Sequence, residues 1–141
     1  MKNSDAFEAE MCAALKAKYK LHIEKSCFST GAIPNYLLLD STRNIHSYIE
    51  FCEVVDGVFE SAHIDVKSPN KGVIDIVRTQ YSQLDRPLFF IYKDEKGIFR
   101  VIESTPIREH LLDERDDNVS IFMIQNADAL QDVLTNVYKE L

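Results

Sequence analysis

Apolar and polar residues alternate on both sides of Asp56-Gly57, over residues 45–67. A period of two is typical of β-strands, and Asp-Gly between two such runs predicts a hairpin with a type I′ turn, because both residues tolerate positive φ. Val55 then lies opposite Val58, and the side chains divide between two faces. The expected core face carries Ile45, Ile49, Phe51, Ala62, Ile64 and Val66. The opposite, polar face carries His46, Tyr48, Glu50, Cys52, His63, Asp65 and Lys67.

Apolar residues at helical spacing predict three helices. The first covers residues 5–20, where Asp5 and Glu8 have the spacing of a capping box. The second starts after Ser68-Pro69 and ends before Pro87, and the third follows Asn126, which we expect to cap it.

Short apolar runs predict further strands: a short one within 21–31, then Tyr36–Leu39, Leu88–Tyr92, Ile98–Ile102 and Val119–Ile124. Pro106–Leu112 is expected to form a helical turn and residues 113–118 a charged loop. This order predicts an α/β protein with a mixed central sheet and flanking helices. At 141 residues it is expected to be a single domain, 1–141.

Composition narrows the functional classes. No apolar run of membrane-spanning length and no secretory signal are visible, so we expect a cytoplasmic protein with no membrane partner. Three cysteines without CxxC spacing favour a reducing compartment and argue against a disulfide framework or a structural zinc site. The net charge of −7 argues against a protein that coats nucleic acid, although bases outnumber acids over residues 67–100.

Asp65-Val66-Lys67 is the sharpest chemical feature of the predicted polar face. Residues two apart on a strand point the same way, so this carboxylate and ammonium would lie side by side. Glu50 on the same face could supply a second carboxylate, and such oxygens hold Mg²⁺ or Mn²⁺ for phosphodiester hydrolysis. The competing interpretation is a solvated hairpin face with cross-strand charge pairs.

The order of helix, three-strand meander, helix and strand, together with Asp65-x-Lys67, resembles the PD-(D/E)XK (restriction-endonuclease-like) nuclease superfamily. The resemblance covers residues 5–93, and residues 97–141 would add C-terminal strands and a helix. It implies that Glu50 and Asp65 bind the metal, that Lys67 positions the attacking water, and that Glu8 assists. Nucleic-acid phosphates would be held by basic and polar residues of the following segment: Lys71, Arg78, Gln80 and Arg86.

The chain departs from the family pattern at Pro34-Asn35, where the family has Pro-Asp. If Asn35 is the counterpart of that Asp, the acid-x-Lys element falls on Glu50-Phe51-Cys52 and its lysine is missing. We favour the Asp65-x-Lys67 alignment because a predicted helix follows Lys67 directly. Two functions therefore stand: a metal-dependent nuclease, or a catalytically inactive nuclease-like or acidic domain that binds a protein partner. A homodimer is compatible with either.

Overall fold

The computed structural model describes residues 4–25, 36–61, 71–80, 85–113 and 119–138. Within these ranges the chain forms five α-helices and a mixed sheet of seven strands. The predicted α/β class with a mixed sheet is confirmed.

The helices and strands follow one another in mixed order along the chain. Helix α1 (Ser4–Lys18) precedes strands β1 (His22–Lys25), β2 (Tyr36–Leu39), β3 (Ile45–Val55) and β4 (Val58–Ser61). Helix α2 (Lys71–Asp75) continues as a π-helical segment, Ile76–Gln80, and leads to β5 (Leu88–Lys93) and β6 (Phe99–Glu103). Helices α3 (Ser104–Asp113) and α4 (Val119–Asn126) follow, and β7 (Asp128–Ala129) and α5 (Leu130–Val137) come last.

Strand β3 is the centre of the sheet. The strand order is β1-β2-β3-β5-β6-β7, and β4 pairs with β3 outside this path. Strands β1, β2 and β3 form an antiparallel meander, whereas β3 and β5 are parallel, with Glu50 opposite Phe90. A parallel pair needs a crossover, and the segment containing α2 provides it.

Each face of the sheet packs against helices. The first core lies under α1 and α5 and includes Leu15, Phe51 and Leu134. The second core lies under α2, α3 and α4 and includes Phe90 and Met123. Each fully buried large side chain contributes about 1.5–3 kcal/mol of hydrophobic stabilisation. Because β3 lies between two cores, it is buried on both faces.

The Asp56-Gly57 hairpin is confirmed. Both residues have positive φ, 52° and 78°, as a type I′ turn requires. Val55 pairs with Val58, and the ladder continues to Cys52 opposite Ser61. Residues 62–67 of the predicted second strand lie outside the described residues.

The predicted division of β3 into a core face and a polar face is wrong in two respects. The predicted polar face lies in the second core, where Tyr48 and Cys52 are buried and the Tyr48 hydroxyl donates a hydrogen bond of 2.9 Å to Asp85. The pairing with β2 also shifts, since Leu38 pairs with Ser47 but Leu39 pairs with Ile45. The extra residue of this bulge moves Ile45 to the second core.

Three predictions about local structure also need correction. Val119–Ile124 is not a strand but most of helix α4, in which Val119 and Met123, four residues apart, are buried together. Asn126 is the last residue of α4, and the cap of α5 is Ala129. Asp5 lies inside α1, which includes Ser4, so it is not the N-cap. None of the helices in the described ranges is long and apolar enough to cross a membrane.

Candidate functional site

Glu50 lies in the middle of the central strand, where its side chain is only 1% exposed. Its neighbours on the same face of β3 are Tyr48 and Cys52, both in the second core. An ionised carboxylate in such surroundings is costly unless other groups compensate its charge. This buried acid is therefore the strongest candidate functional residue in the described part of the chain.

Cys52 lies two residues beyond Glu50 on the same face and is also 1% exposed. Burial raises the pKa of its thiol well above the ordinary value, and the negative charge of Glu50 raises it further. The Sγ atom lies 4.0 Å from the Glu50 main-chain oxygen, to which the thiol can donate. The side chain beside Glu50 is thus a neutral thiol at neutral pH, with no positive charge and no nucleophilic thiolate.

Glu8 is buried on α1. Its neighbours Phe7 and Met11 belong to the first core, whereas the face of β3 that carries Glu50 belongs to the second. The helix that carries Glu8 therefore packs on the opposite side of the sheet from the face of β3 that carries Glu50.

A cavity of about 320 Å³ lies where α1 meets the carboxyl end of β3. Its apolar wall consists of Phe7, Met11, Ala14 and Val54, and its remaining lining consists of Glu10, Cys52, Glu53 and Lys93. Because β3 and β5 are parallel, both strands end here, and open α/β sheets commonly bind ligands at such an edge. Sequence reasoning missed Glu10, Glu53 and Lys93, since only the parallel pairing brings the two strand ends together.

His46 belongs to the predicted polar face of β3. The structure places its ring 5.7 Å from the ring of Phe89, in a half-buried position. Burial lowers the pKa of this histidine, although the carboxylates of Asp40 and Glu103 act in the opposite direction.

The predicted phosphate-binding residues are spread over the second half of the crossover. Lys71 is the first residue of α2, and Arg78 and Gln80 belong to the π-helical segment, where Arg78 is exposed. The guanidinium of Arg86 donates hydrogen bonds to the main-chain oxygens of Ile45, at 3.1 Å, and of Asp85, at 3.0 Å. Arg86 therefore holds the starts of β3 and β5 together.

Asp65, Lys67, His63 and Asn35 lie outside the described residues, as do Pro34 and Tyr81. Within the described ranges, no three histidine, cysteine or carboxylate side chains are placed to hold a metal ion.

Comparisons with protein-family models, with curated proteins and with solved structures find no match to this chain.

Proposed function

We propose that this chain is a restriction-endonuclease-like fold that has lost catalytic activity and acts as a binding protein. The observation that carries the proposal is the buried, neutral Cys52 beside Glu50 on the central strand.

The order of strands in the sheet supports the alignment in which Glu50-Phe51-Cys52 takes the place of the family's acid-x-Lys element. The resemblance puts the acid-x-Lys element on the third strand of the meander that precedes a helix and a further strand. Strands β1, β2 and β3 form such a meander here, and the next strand of the main sheet is β5. The third strand is then β3, and its acid-x-Lys positions are Glu50-Phe51-Cys52.

The residues at the lysine position and at the other acidic position support a loss of catalytic activity as well. A lysine at the third position of this element would orient the attacking water or stabilise charge that develops on the phosphate. A neutral thiol does neither. At the other acidic position the chain has Asn35, whose uncharged amide is a weaker ligand for Mg²⁺ or Mn²⁺ than a carboxylate.

A specific observation also keeps the metal-dependent nuclease as a second candidate. Glu50, which would bind the metal, is a buried acid on the central strand. The hairpin has the predicted register at Cys52 opposite Ser61, but Tyr48 pairs with Leu37 of β2 and Leu88 of β5, so β3 offers no free edge there for the predicted continuation of the hairpin. Hydrolysis would then depend on Glu50, Asp65, Lys67 and Glu8, with Mg²⁺ or Mn²⁺ bound by Glu50 and Asp65.

An assay for cleavage of plasmid DNA, single-stranded DNA and RNA with Mn²⁺, Mg²⁺ or EDTA distinguishes the inactive binding protein from the metal-dependent nuclease. We expect no metal-dependent cleavage by the wild-type chain and no rise in its melting temperature with Mn²⁺, since a metal that binds only the folded state stabilises it. Metal-dependent cleavage that disappears in Lys67→Ala would overturn the proposal and establish the nuclease.

The alignment has its own test in the double variant Asn35→Asp/Cys52→Lys, which restores both family residues. Where this variant is folded by circular dichroism, we expect Mn²⁺ to raise its melting temperature. The same variant with Glu50→Gln serves as the matched control and should not respond. An equal response of the two variants would contradict the role assigned to Glu50.

A further inference from the structure

The cavity between α1 and the carboxyl end of β3 combines an apolar wall with charged side chains. Helix α1 supplies Phe7, Met11 and Ala14 to the wall, and the spacing of these residues places them on one face of the helix. The volume of about 320 Å³ is at the small end of the range of roughly 300–1,000 Å³ that is typical of ligand pockets. The cavity therefore has room for a small molecule, not for a peptide helix or a nucleic-acid strand.

The acidic side chains of this cavity come from different elements. Glu10 is exposed on α1, and Glu53 is half-buried on β3. Glu60 of β4 lies directly opposite Glu53, so the two acids are neighbours on one face and repel each other. Within the described ranges, none of these three carboxylates has a basic side chain within ion-pair distance.

The basic residues near the cavity do not offset this negative charge. Lys93 lines the cavity, but its ammonium lies over the ring of Phe99, 5.6 Å from the ring centre. The ammonium of Lys18 lies over the same ring at 5.9 Å. Arg100 is paired with Asp94, with 3.0 Å between Nε and Oδ2. The other charged residues of the turn after β5 have opposite signs: Glu95 and Lys96. The cavity thus keeps unpaired carboxylates beside an apolar wall.

We propose that this cavity binds a small organic cation, namely a primary ammonium group on a short apolar body. The apolar body would contact Met11 and Ala14, and the ammonium would donate hydrogen bonds to the carboxylates of Glu10 and Glu53. A carboxylate ligand would face the same two acids, and a neutral ligand would leave them unpaired, so charge disfavours both. This inference rests on the proposed binding role and names the class of ligand.

Hexylamine is the probe, with hexanol and hexanoate as counterparts that keep its hydrocarbon body and change its charge. Each compound is titrated into the isotope-labelled full chain in phosphate buffer, and the amide chemical shifts are followed by nuclear magnetic resonance. Hexylamine should bind and shift the amides of Met11, Ala14 and Val54, and added salt should weaken its binding. Hexanol should bind more weakly, and hexanoate should not bind.

Variants of the cavity test the contacts one by one. Glu53→Gln should weaken hexylamine binding about tenfold, because it removes a charge-assisted hydrogen bond. Glu10→Gln should weaken it about threefold, since Glu10 is exposed. Ala14→Leu keeps a good helix former but fills part of the cavity, so it should abolish binding. Glu109→Gln is the matched control: it also removes an exposed carboxylate, but from α3 on the other side of the sheet, and should leave binding unchanged.

Equal affinities of hexylamine for the wild type and for Glu53→Gln would overturn the inference, because general attraction to an acidic protein would explain them. Equal affinities of the wild type for hexylamine and hexanol would also overturn it, since the cavity would then select only the apolar body. Undiminished binding to a folded Ala14→Leu variant would place the amine elsewhere and overturn it too, as would a lack of binding to the wild type. Circular dichroism of each variant checks that the fold is intact. Failure of the proposed function is a separate result, namely metal-dependent cleavage in the nuclease assay.

Discussion

The hydroxyl of Ser120 links α4 to β4 through the 3.1 Å hydrogen bond that it accepts from the Phe59 amide. Both residues are buried, so Ser120→Ala would leave this N–H without its partner and out of reach of water. An unsatisfied buried donor costs about 1–3 kcal/mol. Alanine favours the helix by roughly 0.5 kcal/mol over serine. We therefore expect the variant to lose about 0.5–2.5 kcal/mol of unfolding free energy.

Ser104→Ala is the matched control. Ser104 is also buried and helical, but within the described part of the chain its hydroxyl oxygen has no hydrogen-bond partner. Removal of this hydroxyl leaves no donor unsatisfied and relieves a buried polar group, so we expect a change within about 0.5 kcal/mol, or a slight gain.

Thermal unfolding followed by far-ultraviolet circular dichroism measures both variants. For a chain of 141 residues, about 1 kcal/mol corresponds to roughly 3–4 °C in melting temperature. The Ser120→Ala melting temperature should therefore fall by about 2–10 °C. Equal losses in the two variants would refute the reasoning, because the cost could then not come from the Phe59 amide.

Three further predictions concern the hairpin, the half-buried histidine and the buried thiol. In Gly57→Ala the added Cβ meets open space, but the alanine must keep a φ of 78°. Urea denaturation should therefore show a loss of about 1 kcal/mol of unfolding free energy, and an unchanged free energy would contradict the positive φ of the turn. Burial lowers the pKa of His46 below 6.5, so the unfolded chain takes up this proton first as the pH falls. Unfolding free energy should therefore decrease from about pH 7.5 to about 5.5, and His46→Gln should reduce that slope; identical slopes would argue against a lowered pKa. In a Cys12→Ser/Cys27→Ser background, the raised pKa and burial of Cys52 should keep it unreactive toward a thiol reagent until urea unfolds the chain. Rapid modification of the folded protein would show that the thiol is accessible.

The local features of the fold could be predicted where one residue type satisfies a strict backbone requirement. Asp56-Gly57 predicted the turn because both residues must adopt positive φ, and the register of the hairpin followed from it. The continuous apolar run at Leu88–Tyr92 predicted a buried strand, and β5 is central in the sheet. These inferences needed no knowledge of distant contacts.

Helix α4 could not be predicted in the same way. Its sequence, Val-Ser-Ile-Phe-Met-Ile, combines β-branched and aromatic residues in a short apolar run, which fits a buried strand as well as a helix. The tertiary contacts of Val119 and Met123 decide for the helix.

The candidate site also combines a residue that the sequence indicates with surroundings that only the tertiary structure reveals. Glu50 could be selected from the sequence as a candidate, but its burial depends on the parallel pairing of β3 with β5 and on the helices above that face. The alternation along β3 predicted a solvent-exposed face because Glu50, His46 and Tyr48 are polar residues. A second layer of helices covers that side, and strand periodicity alone cannot reveal it.

Tyr138 completes the first core from near the end of the chain. Its hydroxyl donates to the Leu39 main-chain oxygen, and its ring lies 6.2 Å from that of His22. The apolar residues of α1 are synthesised before those of α5, and this core is complete only when both helices are present. At synthesis rates of about 5–20 residues per second, that delay is roughly 6–24 s. Among the described elements of this core, α1 and α5 are therefore the pair separated by the longest interval of synthesis.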